Sequence, residues 1–95
     1  MRLGGIMKCV LSVLGPDRTG IVADVTGALA GFGANIDDIT QTVLDGVFSM
    51  TLITTLDLEK AGFDEVQEEM TKISKKLGIQ IFMQREDVFR AMYEL

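Results

Sequence analysis

Apolar residues change their spacing several times along the 95-residue chain, and each change marks an element. Residues 6–14, IMKCVLSVL, form a β-branched and aliphatic run closed by Gly15 and Pro16. The run is too short for a typical helix and predicts a strand. After Thr19 the spacing becomes three and four, which predicts an amphipathic helix ending at Gly31 or Gly33. The apolar positions of this helix are Val22, Val25, Leu29 and Phe32.

A β-hairpin is predicted next. Asp45 and Gly46 lie between two β-prone runs, and both residue types tolerate the positive φ of a type I′ turn. The strand after the turn alternates, with Phe48, Met50, Leu52 and Leu56 between Ser49, Thr51, Ile53 and Thr55. Asp37 and Asp38 disturb the alternation of the strand before the turn, which indicates a bulge or a frayed start.

The last third of the chain predicts a helix, a strand and a second, shorter helix. Apolar residues at Phe63, Val66, Met70, Ile73 and Leu77 define the first of these helices, and Gly78 ends it. Residues 79–84, IQIFMQ, predict a fourth strand. Residues 85–95 predict a helix with one apolar side, which either folds under the uncovered face of the sheet or docks on a second subunit.

The predicted order is β-α-β-β-α-β with a helix added at the C-terminus. Right-handed crossovers place both crossover helices on one face of a four-stranded antiparallel sheet, an α+β sandwich of the ferredoxin-like kind. We divide the chain into an N-terminal extension (1–6), one domain (7–84) and the C-terminal helix (85–95). This fold occurs in enzymes, RNA-binding domains, metal carriers and sensors, so the function has to be inferred from the residues of a candidate site.

Composition narrows the function classes. Hydrophobic residues make up 47% of the sequence, more than one small monomer readily buries, so we expect self-association. The net charge of −5 argues against nucleic acid and anionic membranes as partners. An RNA-binding sheet would also need aromatic residues on its first strand, which has none. No apolar run is long enough to span a membrane and the start lacks a signal-peptide pattern, so we expect a cytoplasmic protein.

Few residues have the chemistry of an active site. The chain has no histidine, which excludes histidine bases and His-assisted nucleophiles. Cys9 is the single cysteine and is expected to be a small buried apolar residue. Asp17 together with Asp37 and Asp38 suggests either a cation site or, more simply, surface acids. We therefore expect no catalytic residues, no metal and no cofactor.

The loop GPDRTGI, residues 15–21, has two interpretations. In the first, Pro16 fixes a backbone angle and Asp17 or Thr19 caps the following helix. In the second, free N–H groups at the helix N-terminus bind a carboxylate, and Asp17 accepts from an ammonium. The Arg18 guanidinium can donate two parallel hydrogen bonds to the same carboxylate. Together these groups describe a receptor for a zwitterion.

Residues 15–41, GPDRTGIVADVTGALAGFGANIDDITQ, resemble the opening of an ACT domain, a small regulatory module that senses amino acids and related metabolites. The shared features are the charged loop ending in Gly20, the apolar stripe of the first helix, and GANI leading into the second strand. The loop is most similar to the PDR-x-GIV variant in the ACT domains of formyltetrahydrofolate deformylase and the glycine-cleavage repressor. The whole chain resembles stand-alone single-ACT-domain proteins of unassigned function.

The resemblance implies a non-catalytic, regulatory homodimer that binds an amino-acid-like ligand at the subunit interface and signals to an enzyme or regulator in trans. In the family, the ligand is held by the loop before the first helix and by an asparagine at the start of the second strand. Asp17 and Asn35 occupy those places, although Thr19 stands where many ACT domains have proline. The implied ligand-binding residues are Asp17, Arg18, Thr19, Gly20, Asn35 and Ile36.

Other interpretations stay open from the residues alone. Asn35 also suits the left-handed position that ends a helix. The chain as a whole also suits a dimerisation module that binds no ligand. An acylphosphatase-like hydrolase would use Arg18 to grip phosphate and Asn35 to orient water, but Pro16 removes an N–H that such a cradle needs.

Overall fold

The computed structural model describes residues 5–93, which form four strands and three helices. In chain order the elements are β1 (Ile6–Pro16), α1 (Ile21–Gly31), β2 (Asn35–Leu44), β3 (Val47–Asp57), α2 (Phe63–Leu77), β4 (Gln80–Arg85) and α3 (Glu86–Tyr93). The sheet order is β2-β3-β1-β4 with antiparallel neighbours, which confirms the ferredoxin-like α+β fold. Parts of the expected N-terminal extension and C-terminal helix fall on residues 1–4 and 94–95, outside the described residues. No described helix has the length and apolar character to cross a membrane.

The core lies between one face of the sheet and the helices α1 and α2. Alternate residues of β1 and β3 point into it, as the period of two predicts. Its largest fully buried members are Leu11, Ile21, Leu29, Met50, Leu52, Leu56 and Met70. The buried stripe of α1 includes Ile21, whereas Val22 and Phe32 are only partly buried.

Cys9 is fully buried in this core. Burial raises the pKa of the Cys9 thiol to about 11, although the positive charge of Arg85 opposes the shift. The thiol is therefore inert, because only the thiolate is a strong nucleophile.

Helix α3 covers part of the other face of the sheet. It packs on β1 and β4, and Phe89 with Glu86 lines a small apolar cavity of about 220 Å³ above Val10 and Ile53. Val10 is accordingly only 3% exposed, although it points away from α1 and α2. The sequence left two locations open for this helix, and its described residues pack on the uncovered face of the sheet of the same chain.

The structure confirms two of the predicted turn features and contradicts one predicted helix cap. Asp45 and Gly46 both have positive φ, of 53° and 80°, which confirms the predicted hairpin turn. The pairing of β2 with β3 shifts register between Ile36 and Asp38, which confirms the predicted bulge. The expectation that Asp17 or Thr19 caps α1 is wrong, because Gly20 is the N-cap and no side chain caps the helix.

The left-handed residue after α1 is Gly33, with φ of 75°. Asn35 is instead the first residue of β2, so it does not end the helix. Glycine adopts this conformation without the steric cost that a side chain adds, which explains why Gly33 takes the position.

Candidate functional site

The loop before α1 presents an open backbone surface. Asp17, Arg18 and Thr19 are exposed, and Gly20 begins the helix with φ of 92°. A Cβ atom placed on Gly20 would meet nothing within 4 Å, so the space beside the first turn is free in the described chain. An uncapped helix N-terminus with open space beside it is suited to bind a carboxylate or phosphate.

The loop is anchored to the hairpin turn. The backbone N–H of Asp17 donates to the carbonyl of Gly46 at 3.0 Å. This bond fixes the start of the loop beside the β2–β3 turn, while the Asp17 side chain stays exposed. The loop therefore sits at the end of the sheet where β2 finishes.

Arg18 lies close to the C-terminal end of α2. A Cβ atom placed on Gly78, the C-cap of α2, would be 3.7 Å from Nη2 of Arg18. A cation at a helix C-terminus is stabilised by the helix dipole. This location gives Arg18 a structural role besides the predicted contact with a ligand carboxylate.

A second polar group, the Asp37 cluster, lies at the start of β2 and consists of Lys8, Asn35, Asp37 and Thr55. The Asn35 side-chain amide donates to Oδ1 of Asp37 at 2.7 Å, and the Thr55 hydroxyl donates to Oδ2 at 2.5 Å. Nζ of Lys8 lies 4.0 Å from the same Oδ2. The hydrogen bonds from Thr55 and then Asn35 hold the pKa of the Asp37 carboxyl below its usual value.

The backbone of Asn35 is fixed from the core side. The hydroxyl of Thr54, which is fully buried, donates to the Asn35 carbonyl at 2.6 Å. Ile36 pairs with Thr54 and packs its half-buried side chain against the core. Ile36 can therefore offer a ligand mainly its backbone, whereas the exposed amide of Asn35 is accessible.

The structure does not bring Asp17 and Asn35 together within one chain. Asn35 pairs with Thr55, which pairs with Lys8 at the start of β1, whereas Asp17 follows Pro16 at its end. At about 3.3 Å per residue, the eight residues from Lys8 to Pro16 separate the two groups by roughly 26 Å. The cation site considered from Asp17, Asp37 and Asp38 is not assembled for the same reason. No group of three acidic, cysteine or histidine side chains suited to a metal ion occurs within residues 5–93.

The sequence alone does not predict how the Asp37 cluster is arranged. The sequence suggests Asp37 as part of a bulge and as a surface acid or cation ligand, whereas in the fold it also accepts a hydrogen bond from the Asn35 amide. A bulge and short polar side chains indicate a local departure from the regular ladder, but they do not specify that Asn35 bonds to Asp37.

Comparison with known proteins identifies the family. The ACT domain profile matches residues 8–84. A UPF0237 protein of Methanocaldococcus jannaschii is 40% identical over 88 residues, covering 93% of this chain and 98% of the relative. A solved ACT domain protein from Streptococcus pneumoniae superposes with a TM-score of 0.75 at 41% identity, covering 87% of this chain and 93% of that one.

More distant structures share the fold. A formyltetrahydrofolate deformylase from Burkholderia mallei has a TM-score of 0.74 at 21% identity, over 83% of this chain and 28% of that chain. A putative glycine cleavage system transcriptional repressor has a TM-score of 0.76 at 19% identity, over 84% of this chain and 46% of that chain. These are the two neighbours that the PDR-x-GIV loop predicted. The chain belongs to the ACT domain family, and its relatives include single-domain UPF0237 proteins.

Proposed function

We propose that the protein is a non-catalytic, homodimeric sensor that binds an amino-acid-like ligand between its subunits and signals to another protein in trans. Membership of the ACT family supports the regulatory, ligand-binding part of this proposal. The observation that supports a site shared between two subunits is the separation of Asp17 and Asn35 to opposite ends of the sheet. One chain supplies only half of the predicted site at each end.

A second copy would complete the site through the edge strand β2. Two β2 strands that pair antiparallel about a two-fold axis place the start of one beside the end of the other. The start carries Asn35, and the end leads into the turn to which Asp17 is bonded. Each pairing then creates two equivalent sites, each with Asp17 of one subunit and Asn35 of its partner.

The surface near the end of β2 favours such pairing. Val43, Leu44 and Val47 are 54%, 74% and 47% exposed, a high exposure for neighbouring apolar side chains at one end of a sheet. An edge strand also offers unpaired backbone groups to another strand. Burying both features against a second copy removes apolar area from water and satisfies the edge.

The chemistry of the completed site suits a zwitterion. The open N-terminus of α1 attracts the ligand carboxylate, and the Asp17 carboxylate accepts from its ammonium group. The Asn35 amide can donate to one group and accept from the other. Its present bond to Asp37 at 2.7 Å preorganises the amide and leaves its oxygen available.

Thermal unfolding in the presence of each amino acid at millimolar concentration tests the proposal. A ligand at about 100 times its dissociation constant adds roughly 2.7 kcal/mol, which raises the Tm of a domain this small by several degrees. The shift should disappear in Asp17→Ala and in Asn35→Ala. Thr55→Val serves as the matched control, because it removes the other bond to Asp37 and leaves Asn35 in place.

The control separates ligand binding from local order. The ligand-induced increase in Tm could be lost as fully in Thr55→Val as in Asn35→Ala. That result would show that ligand binding depends on the order of the Asp37 cluster and not on the Asn35 amide itself. No shift with any amino acid, in a protein that remains dimeric, would contradict the sensor and favour the ligand-free dimerisation module. That alternative draws support from the same exposed apolar residues beside the β2–β3 turn.

A further inference from the structure

A groove of about 750 Å³ runs along the free edge of β4. Strand β4 forms the opposite edge of the sheet from β2, so the groove is separate from the ligand site proposed above. Its upper wall is α2 and its lower wall is α3, with Ile81, Phe82 and Met83 of β4 between them. This volume is in the range of sites that hold small ligands or short peptide segments.

The floor of the groove is an unpaired strand edge. Strand β4 pairs with β1 on one side only, over Gln80–Arg85. Alternate backbone N–H and C=O groups of an edge strand point outward and can pair with another extended chain. A segment lying between α2 and α3 would therefore add to the sheet as a fifth strand.

The wall formed by α2 is acidic. Asp64 and Glu68 line it, one helical turn apart, together with the polar Gln67 and Thr71. No lysine or arginine lines the described groove. Side chains that point from an added strand towards this wall therefore meet carboxylates and favour lysine or arginine.

The wall formed by α3 is apolar. Phe89 and Met92 line it, and Phe82 of β4 lies beside them with 58% of its surface exposed. Successive side chains of a strand point to opposite faces, so those that do not face α2 face this apolar wall. Flexible methionine and aromatic side chains adapt to different apolar partners.

We propose that this groove binds an extended protein segment in which basic and apolar residues alternate, added to β4 as a fifth strand. The basic residues face Asp64 and Glu68, and the apolar residues face Phe82, Phe89 and Met92. A second copy of the chain fits less well, because pairing of two β4 edges about a two-fold axis would place acidic walls beside each other. The groove thus gives the protein a surface for a partner of a different sequence.

Fluorescence polarisation with a labelled eight-residue peptide of alternating lysine and valine tests this proposal. Two control peptides contain the same numbers of lysine and valine side chains. One collects the lysines and valines into two blocks, and the other carries N-methyl groups on alternate residues, which removes the donors that would face β4. The alternating peptide should bind the full-length protein roughly tenfold tighter than either control.

Matched protein variants test the acidic wall. Asp64→Asn combined with Glu68→Gln should lower the affinity for the alternating peptide by several-fold to about tenfold, because each exposed ion pair contributes modestly to binding. Asp38→Asn combined with Asp45→Asn removes the same net charge on β2 and its turn, and should leave the affinity unchanged. Thermal unfolding of both double variants checks that the fold is intact.

Amide chemical shifts locate the peptide. The expected changes are concentrated in residues 80–85 and in the facing sides of α2 and α3. Equal binding of the block or N-methylated peptide, equal weakening in both double variants, or shifts centred on β2 would each overturn the proposal. Concentration-dependent protection of the β4 amides in the free protein would also overturn it, because a second copy would then occupy the edge.

Discussion

Replacing Gly15 by alanine should destabilise the protein. Gly15 lies near the end of β1, two residues before Asp17, and it packs closely against Ile79. A Cβ atom at position 15 would lie 2.8 Å from Cγ2, 3.0 Å from Cβ and 3.1 Å from the backbone Cα of Ile79. Real Cβ atoms essentially never approach a neighbour to 2.8 Å, and Ile79 is 4% exposed, so it has little room to move.

The magnitude follows from two opposing effects. Overpacking of a well-packed core costs about 1–3 kcal/mol. Replacing glycine by alanine also lowers the entropy of the unfolded chain, which offsets about 0.4–1 kcal/mol. Subtracting the central values leaves a net loss in the free energy of unfolding of roughly 1.3 kcal/mol, and each kcal/mol lowers the Tm by about 4–8 °C in a domain of this size.

Gly27→Ala is the matched control, because it is the same chemical change with the opposite expected sign. Gly27 lies inside α1, is exposed, and would place its new Cβ in open space. Alanine is favoured over glycine in a helix interior by roughly 0.5–1 kcal/mol, so this variant should be more stable than the wild type.

Urea denaturation followed by far-ultraviolet circular dichroism measures both variants, at one protein concentration so that any dimerisation contributes equally. The expected order of stability is Gly27→Ala, wild type, Gly15→Ala. If Gly15→Ala were as stable as Gly27→Ala, the close packing between Gly15 and Ile79 would be refuted.

Three further predictions follow from single groups. Thr54→Val should lower the free energy of unfolding by about 1 kcal/mol in urea denaturation, because it removes the 2.6 Å bond to the Asn35 carbonyl; an unchanged midpoint would contradict this. The pKa of Asp37 is lower when folded than unfolded, so its stabilising contribution is complete above the unfolded value of 3.8 and is lost as pH falls through the lower folded value. Stability measured between pH 5 and 2 should therefore fall less steeply in Thr55→Val, and an equal slope would argue against the bond. Cys9, with its pKa raised to about 11, should not react with a thiol reagent at pH 8 until the protein is unfolded, and rapid labelling of the native protein would contradict its burial.

The spacing of apolar residues predicted most of the fold, because the burial of one face of each helix or strand determines that spacing. The alternation in β3, the amphipathic stripe of α2 and the Asp45–Gly46 turn are local patterns, and the structure confirms each of them. The predicted N-cap of α1 was wrong. Side-chain capping preferences favoured Asp17 or Thr19, but the left-handed conformation of Gly20 decides where the helix begins.

The candidate site was less predictable than the fold. Asp17 and Asn35 are close in sequence, yet β1 and β2 both pair antiparallel with β3 and so run in the same direction. The end of β1 and the start of β2 therefore lie at opposite ends of the sheet. The sequence does not predict the groove beside β4, because the groove depends on where α2 and α3 pack against one edge of the sheet. Only three-dimensional packing places Glu68 and Phe82 along one groove.

Mixing two single-site variants tests most directly whether each ligand site is built from two chains. Asp17→Ala and Asn35→Ala are unfolded together, refolded, and titrated calorimetrically with an amino acid that stabilises the wild type. Neither variant alone should bind. In the mixture, about half of the dimers are mixed, and each mixed dimer has one intact site and one doubly altered site, so about a quarter of the wild-type sites should return. Recovery of that fraction would support a site shared between subunits, and no recovery in a mixture that forms mixed dimers would contradict it.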